Sequence, residues 1–180
     1  MRFKLRTAAL ATLALLAVSV PPADAQVNSP LRGSYARDEA ASDTMKKIVD
    51  DGMSKLGRLY RMWPISGQAR KRLEETNRLA AWVQILPEDD ELTVTTDRYT
   101  LVTPPNGVLE AWEREKGDFV DVTTLLQGTR LEQRFVAEDG QRINRYSLSP
   151  DGNTLTLDVT VTSPKLDGEL KYRQVYRRTP

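Results

Sequence analysis

GTRLEQRFVAEDGQRINRYSLSPDGNTLTLDVTVTSPKLDGELKYRQVYRR, residues 128–178, divides into four runs: Thr129–Glu138, Gln141–Ser149, Asn153–Ser163 and Glu169–Arg178. They are separated at Asp139-Gly140, Pro150-Asp151-Gly152 and Asp167-Gly168. Glycine supplies the positive φ of a tight turn and aspartate tolerates the neighbouring position, so Asp-Gly between alternating runs signals a hairpin. In the third run Leu155, Leu157, Val159 and Val161 alternate with Thr154, Thr156, Asp158, Thr160 and Thr162. That pattern is a half-buried antiparallel strand.

Working outward, the two-fold period extends back to Ala80. It yields candidate strands Ala80–Leu86, Glu91–Thr96, Arg98–Thr103, Val108–Arg114 and Phe119–Leu125. About nine strands on short turns make an antiparallel meander. Such a sheet curls and removes its edges by closing into a barrel, with an open half-barrel as the competing geometry. Upstream the period becomes helical. Met45, Ile48, Val49, Gly52, Met53, Leu56, Leu59, Tyr60 and Trp63 form one apolar stripe, which predicts a helix over about 43–63 ended by Pro64. A second helix is predicted over about 66–78, with Ser66 as its N-cap. Neither helix can bury its stripe alone, so the two read as an arm packed on the sheet. The fold class is α+β, with a single domain over 38–180 preceded by an irregular lead-in at 26–37 that holds a short extended piece at 33–36.

The first 25 residues read as a secretory leader. Arg2, Lys4 and Arg6 form its basic start, Thr7–Val20 its apolar core, and Ala23-Asp24-Ala25 its cleavage site. That core is too short to span a bilayer, and no other apolar run approaches a span. Export to a bacterial periplasm or the extracellular space is the expected location. The chain has 26 basic and 25 acidic residues, and losing Arg2, Lys4, Arg6 and Asp24 leaves a formal charge of −1. A balance like that argues against a nucleic-acid partner.

The 180 residues include no histidine and no cysteine. Their absence excludes a disulfide framework, a thiol nucleophile, the usual zinc site and a His general base, and no cofactor or metal is expected. Glu110, Glu113 and Glu115 beside Trp112 are the carboxylates a glycan hydrolase would need. On one strand, however, Glu113 and Glu115 share a face that excludes Glu110, and a solvated edge accounts for them, so no catalytic residue is assigned. The acidic run Glu88–Glu91 lacks the spacing of a calcium loop and reads as a charged turn. Between Asp51 and Glu74 there is no acidic residue, whereas Lys55, Arg58, Arg61, Arg70, Lys71 and Arg72 all fall there. Tyr60, Arg61, Trp63, Arg70 and Arg72 are therefore the candidate contacts for a ligand or an anionic headgroup. The competing reading is a solvated helix face whose partners are the acidic residues concentrated from Glu88 to Asp121.

Arg145–Leu157 (Arg-Tyr-Ser-Leu-Ser-Pro-Asp-Gly-Asn-Thr-Leu-Thr-Leu), followed by Tyr172–Arg178, resembles the closing strands of poorly characterised, secreted, lipocalin-like bacterial proteins. Leu31-Arg-Gly-Ser-Tyr35 is similar to the lipocalin Gly-x-Trp signature, with Tyr35 in place of Trp and Arg177 or Arg178 where a last-strand Arg packs on that ring. The resemblance implies a barrel whose interior holds an apolar or lipid-like molecule. The expected function is non-catalytic binding of an apolar or amphipathic small molecule. The alternative is an envelope interaction module with a packed core that engages a protein or glycan.

Overall fold

The computed structural model describes residues 29–62 and 65–180. The leader read over residues 1–25 and the Trp63-Pro64 join lie outside the described residues. The chain runs β1 (Gly33–Arg37), α1 (Met45–Lys55), a 3-10 turn (Arg58–Arg61), α2 (Ile65–Thr76), β2 (Trp82–Pro87), β3 (Leu92–Thr96), β4 (Thr100–Thr103), β5 (Asn106–Glu115), β6 (Asp118–Gln127), β7 (Arg130–Ala137), β8 (Gly140–Leu148), β9 (Thr154–Thr162) and β10 (Leu170–Arg178). All ten strands form one antiparallel sheet in the order β4-β3-β2-β1-β10-β9-β8-β7-β6-β5.

Ten strands, not about nine, make the barrel. The additional strand is β1, which lies in the stretch read as a lead-in with a short extended piece. It pairs Tyr35 with Arg178 of β10 and with Val83 of β2. Its five residues carry little alternation of their own, and their extended state comes from two partners distant in sequence. By joining β10 to β2, β1 bends the meander into a nearly closed barrel.

The helices also end differently from the periodicity. Thr44 caps α1, its Oγ1 accepting from the Lys47 amide at 3.2 Å. The helix stops at Lys55, well before Pro64, because Leu56 turns extended and bridges to Leu166 while the Gly57 amide donates to the Lys165 carbonyl at 3.1 Å. Tertiary pairing here overrides a stripe that continues in the sequence. Ser66 is not an N-cap: it lies inside the first turn of α2, and its amide donates to the Met62 carbonyl at 3.1 Å. A Cβ on Gly52 would stand 3.0 Å from a Leu73 methyl, so glycine lets α1 and α2 approach closely.

Because every strand is antiparallel to its neighbours, the connections alternate between the barrel's two ends. The helices share one end with the β3–β4, β5–β6, β7–β8 and β9–β10 turns. At the far end Leu31, Ile85, Leu92, Leu126, Leu131 and Leu155 form a dry floor, none more than 2% exposed. Arg178 clamps that end. It donates to the carbonyls of Gly152, Arg32 and Pro30 and to the Tyr35 hydroxyl, each at 2.7 Å, and its guanidinium lies 4.9 Å from the Tyr35 ring centre. Of the two arginines the sequence offered, Arg178 is the one on the ring. β4 and β5, the two sheet edges, share no ladder. β4 instead reaches β6, where Thr103 Oγ1 donates to Thr124 Oγ1 at 2.8 Å and the Leu126 amide donates to the Pro105 carbonyl at 3.0 Å, and the Tyr99 and Trp112 rings stand 5.4 Å apart across the gap.

Candidate binding compartment inside the barrel

Inward side chains form rows across the sheet, because residues paired in register point to the same face. Toward the helix end, Val122, Phe135, Arg142, Val161 and Leu170 are successive register partners from β6 to β10. The next row toward the floor is Thr124, Gln133, Asn144, Val159 and Tyr172. On β8, Asn144, Tyr146 and Leu148 are buried, so the two-residue period places Arg142 on the same inward face.

A cation is thus built into the barrel. Arg142 Nε donates to Asn144 Oδ1 at 2.8 Å, Nη1 donates to the Thr76 carbonyl at the end of α2 at 3.4 Å, and the guanidinium lies 5.8 Å from the Tyr172 ring centre. All these partners are neutral, and none of the described carboxylates forms an ion pair with Arg142. Burial opposes its charge most strongly, yet the surrounding Tyr172, Tyr99 and Tyr146 more than offset that and raise its pKa. Burial is likewise the chief cause raising the phenols of Tyr99, Tyr146 and Tyr176, so they are neutral at ordinary pH. The inward face therefore holds a guanidinium ringed by phenol groups, with the exposed Glu110 carboxylate on the same face of β5 as the register partner of Val122. Although desolvation dominates at Arg142 and Tyr99, both side chains keep part of their surface accessible. Arg142 and Tyr99 thus stand where packing of the inward face is incomplete.

The residues singled out from the sequence lie elsewhere. Tyr60 is 37% exposed on the 3-10 turn. Arg70 pairs with Asp50 at 2.7 Å, and Arg72 reaches Asp139 at 3.4 Å. Trp63 and the Arg61 side chain lie outside the described residues. Both described arginines are thus directed to carboxylates on different elements, and their partners are not the acidic residues of 88–121. Met62 is exposed, and Met45 and Met53 are half-buried. Glu113 Oε1 accepts from the Gly117 amide at 2.8 Å, holding the β5–β6 turn. Among the described residues no cluster of acidic side chains could hold a metal ion, and no helix is long and apolar enough to cross a membrane.

No family model and no curated protein matches the chain. Solved structures do. A Schistosoma mansoni fatty acid binding protein in complex with arachidonic acid superposes with a TM-score of 0.52 at 14% identity, covering 86% of this chain and 99% of that one. The zebrafish ileal bile acid-binding protein with cholic acid gives 0.51 at 11%, covering 84% and 100%. A secretory abundant heat soluble protein of Ramazzottius varieornatus gives 0.54 at 8%, covering 86% and 98%. The chain shares their fold. In this fold two helices stand between the first and second of ten antiparallel strands that form a nearly closed barrel.

Arg142 was missed in the sequence, although a signal was present. Once Tyr146 and Leu148 are taken as the inward face of β8, the same alternation carries a full charge inward at 142. A lone buried charge is costly unless something pairs with it.

Proposed function

We propose that this chain is a non-catalytic carrier of a small amphipathic molecule, which it holds by an anionic group at Arg142 with its apolar body inside the barrel. The observation that carries this reading is the guanidinium on the inward face of β8, which forms no ion pair among the described residues and bonds to the neutral carbonyls of Asn144 and Thr76 beside the Tyr172 ring. A carboxylate or sulfonate about 4 Å from it would gain roughly 4 kcal/mol at the effective dielectric of such a site, before its own desolvation is charged against that. Fatty-acid and bile-acid binding by proteins of this fold supports the same ligand class. We further propose that the protein works after export, a reading supported by the leader-like residues 1–25.

The test is titration with 1-anilinonaphthalene-8-sulfonate, an anionic apolar dye, followed by displacement with carboxylates. Saturable single-site binding, reversed by a carboxylate and not by the matching primary amide, is the expected result. Absence of saturable binding, or equal displacement by the amide, refutes the reading.

A further inference from the structure

Resting on the anionic-ligand reading above, we propose that the compartment is confined to the helix side of the barrel and that its ligand is a compact anion with a planar ring body, an aryl carboxylate, not a long acyl chain.

Depth is the first argument. Below the Arg142 row stands Gln133, 0% exposed, whose amide nitrogen and oxygen both lack a partner within the protein and any accessible surface. Gln174, one strand row nearer the floor, is 1% exposed and its Oε1 is in the same condition. Side chains are closed around these amides, and the floor beneath is dry. Rows two residues apart on a strand are separated by roughly 6.7 Å. An extended long chain would have to cross several of them, displacing the amides and lying against their unpaired polar atoms. On the inward face, accessibility returns at the level of Tyr99, Glu110, Trp112, Phe135, Arg142 and Val161.

The walls supply the second argument. Tyr99 and Trp112 are tilted by 58° at 5.4 Å, and Trp112 meets Phe135 edge-on at 6.2 Å. Phe135 is the direct register partner of Arg142. Three aromatic rings beside one cation present faces and edges that match a second planar ring, whereas a flexible chain loses rotamer freedom there without gaining ring contacts.

Calorimetry on the purified protein with 2-naphthoate and with octanoate, decanoate, dodecanoate and hexadecanoate decides the matter. The expected result is 2-naphthoate binding at least tenfold more tightly than decanoate, with affinity flat within threefold from decanoate to hexadecanoate. Trp112→Leu is expected to lose about fivefold for 2-naphthoate and less than twofold for decanoate, and Phe135→Leu serves if that variant fails to fold. An affinity that climbs about fourfold per methylene up to hexadecanoate, or a Trp112→Leu effect equal on both ligands, overturns the compact-ring inference while leaving the anionic-carrier reading standing. Failure of every carboxylate to bind overturns both.

Discussion

Replacing Arg142 by methionine separates a functional charge from a structural one. The substitution removes the bonds to Asn144 Oδ1 and to the Thr76 carbonyl, at 2.8 and 3.4 Å. Each such bond contributes about 1 kcal/mol net. Against that loss, the variant no longer holds an unpaired charge in the interior, and relieving that burial returns a comparable amount. The unliganded stability is therefore expected to change by no more than about 1 kcal/mol, read as a denaturation midpoint at constant m-value. Binding behaves differently. A carboxylate held by a desolvated guanidinium makes charge-assisted bonds of roughly 1.5–3 kcal/mol. Affinity for 2-naphthoate is thus expected to fall by about 10- to 150-fold, and the preference for the acid over its amide is expected to vanish. A variant destabilised by more than about 2 kcal/mol with acid preference intact would show that Arg142 only ties β8 to α2, and the carrier reading would lose its foundation.

Three further outcomes follow from the same geometry. Leu157→Asp places an unpaired charge on the inward face of β9, where Leu157 is 6% exposed, and is expected to cost more than about 4 kcal/mol in denaturant melts; wild-type melting would mean the strand faces the other way. Arg178→Ala removes four hydrogen bonds and the contact on Tyr35, and a loss of about 3 kcal/mol is expected with 2-naphthoate affinity unchanged. With no histidine in the chain, carboxylate affinity is expected to be flat between about pH 6 and 9. The buried phenols have folded pKa values above their unfolded value of about 10, so the stability they contribute is full below that value. It is lost as pH rises through the raised values, and alkaline unfolding monitored by circular dichroism should begin near pH 10. Unfolding already at about pH 8 would contradict that assignment.

How far the sequence could be read depended on whether the signal was local. β9 was legible because Leu155, Leu157, Val159 and Val161 alternate with threonines and an aspartate, and the Asp-Gly pairs set the hairpin ends. β1 could not be recognised as a full strand in the same way, since its state depends on Arg178 and Val83, far away along the chain. The early end of α1 was hidden for a related reason: Leu56 continues the apolar stripe yet leaves the helix to bridge Leu166. At the site, the run of bases from Lys55 to Arg72 drew attention because it is contiguous in sequence. The charge that matters is a single arginine on a strand whose facing is ambiguous, since Ile143 on the opposite parity looks as good a core residue as Tyr146.

The row Thr124, Gln133, Asn144 explains why both tasks fit in one barrel. Toward the floor it meets leucines that are fully buried and joined to the Arg178 clamp, so that end supplies the packing a cysteine-free chain needs. Toward the helices it meets Arg142, whose Nε it engages through Asn144, and there packing is relaxed enough to leave Tyr99, Trp112 and Phe135 partly accessible. A guanidinium placed one row lower would sit among closed side chains with nothing to compensate it, and one placed higher would reach bulk water and lose its electrostatic leverage. Its position at the boundary gives a cation poor in counter-charge but open to a ligand. The gap between β4 and β5 lies on the same side, where the Tyr99 and Trp112 rings meet.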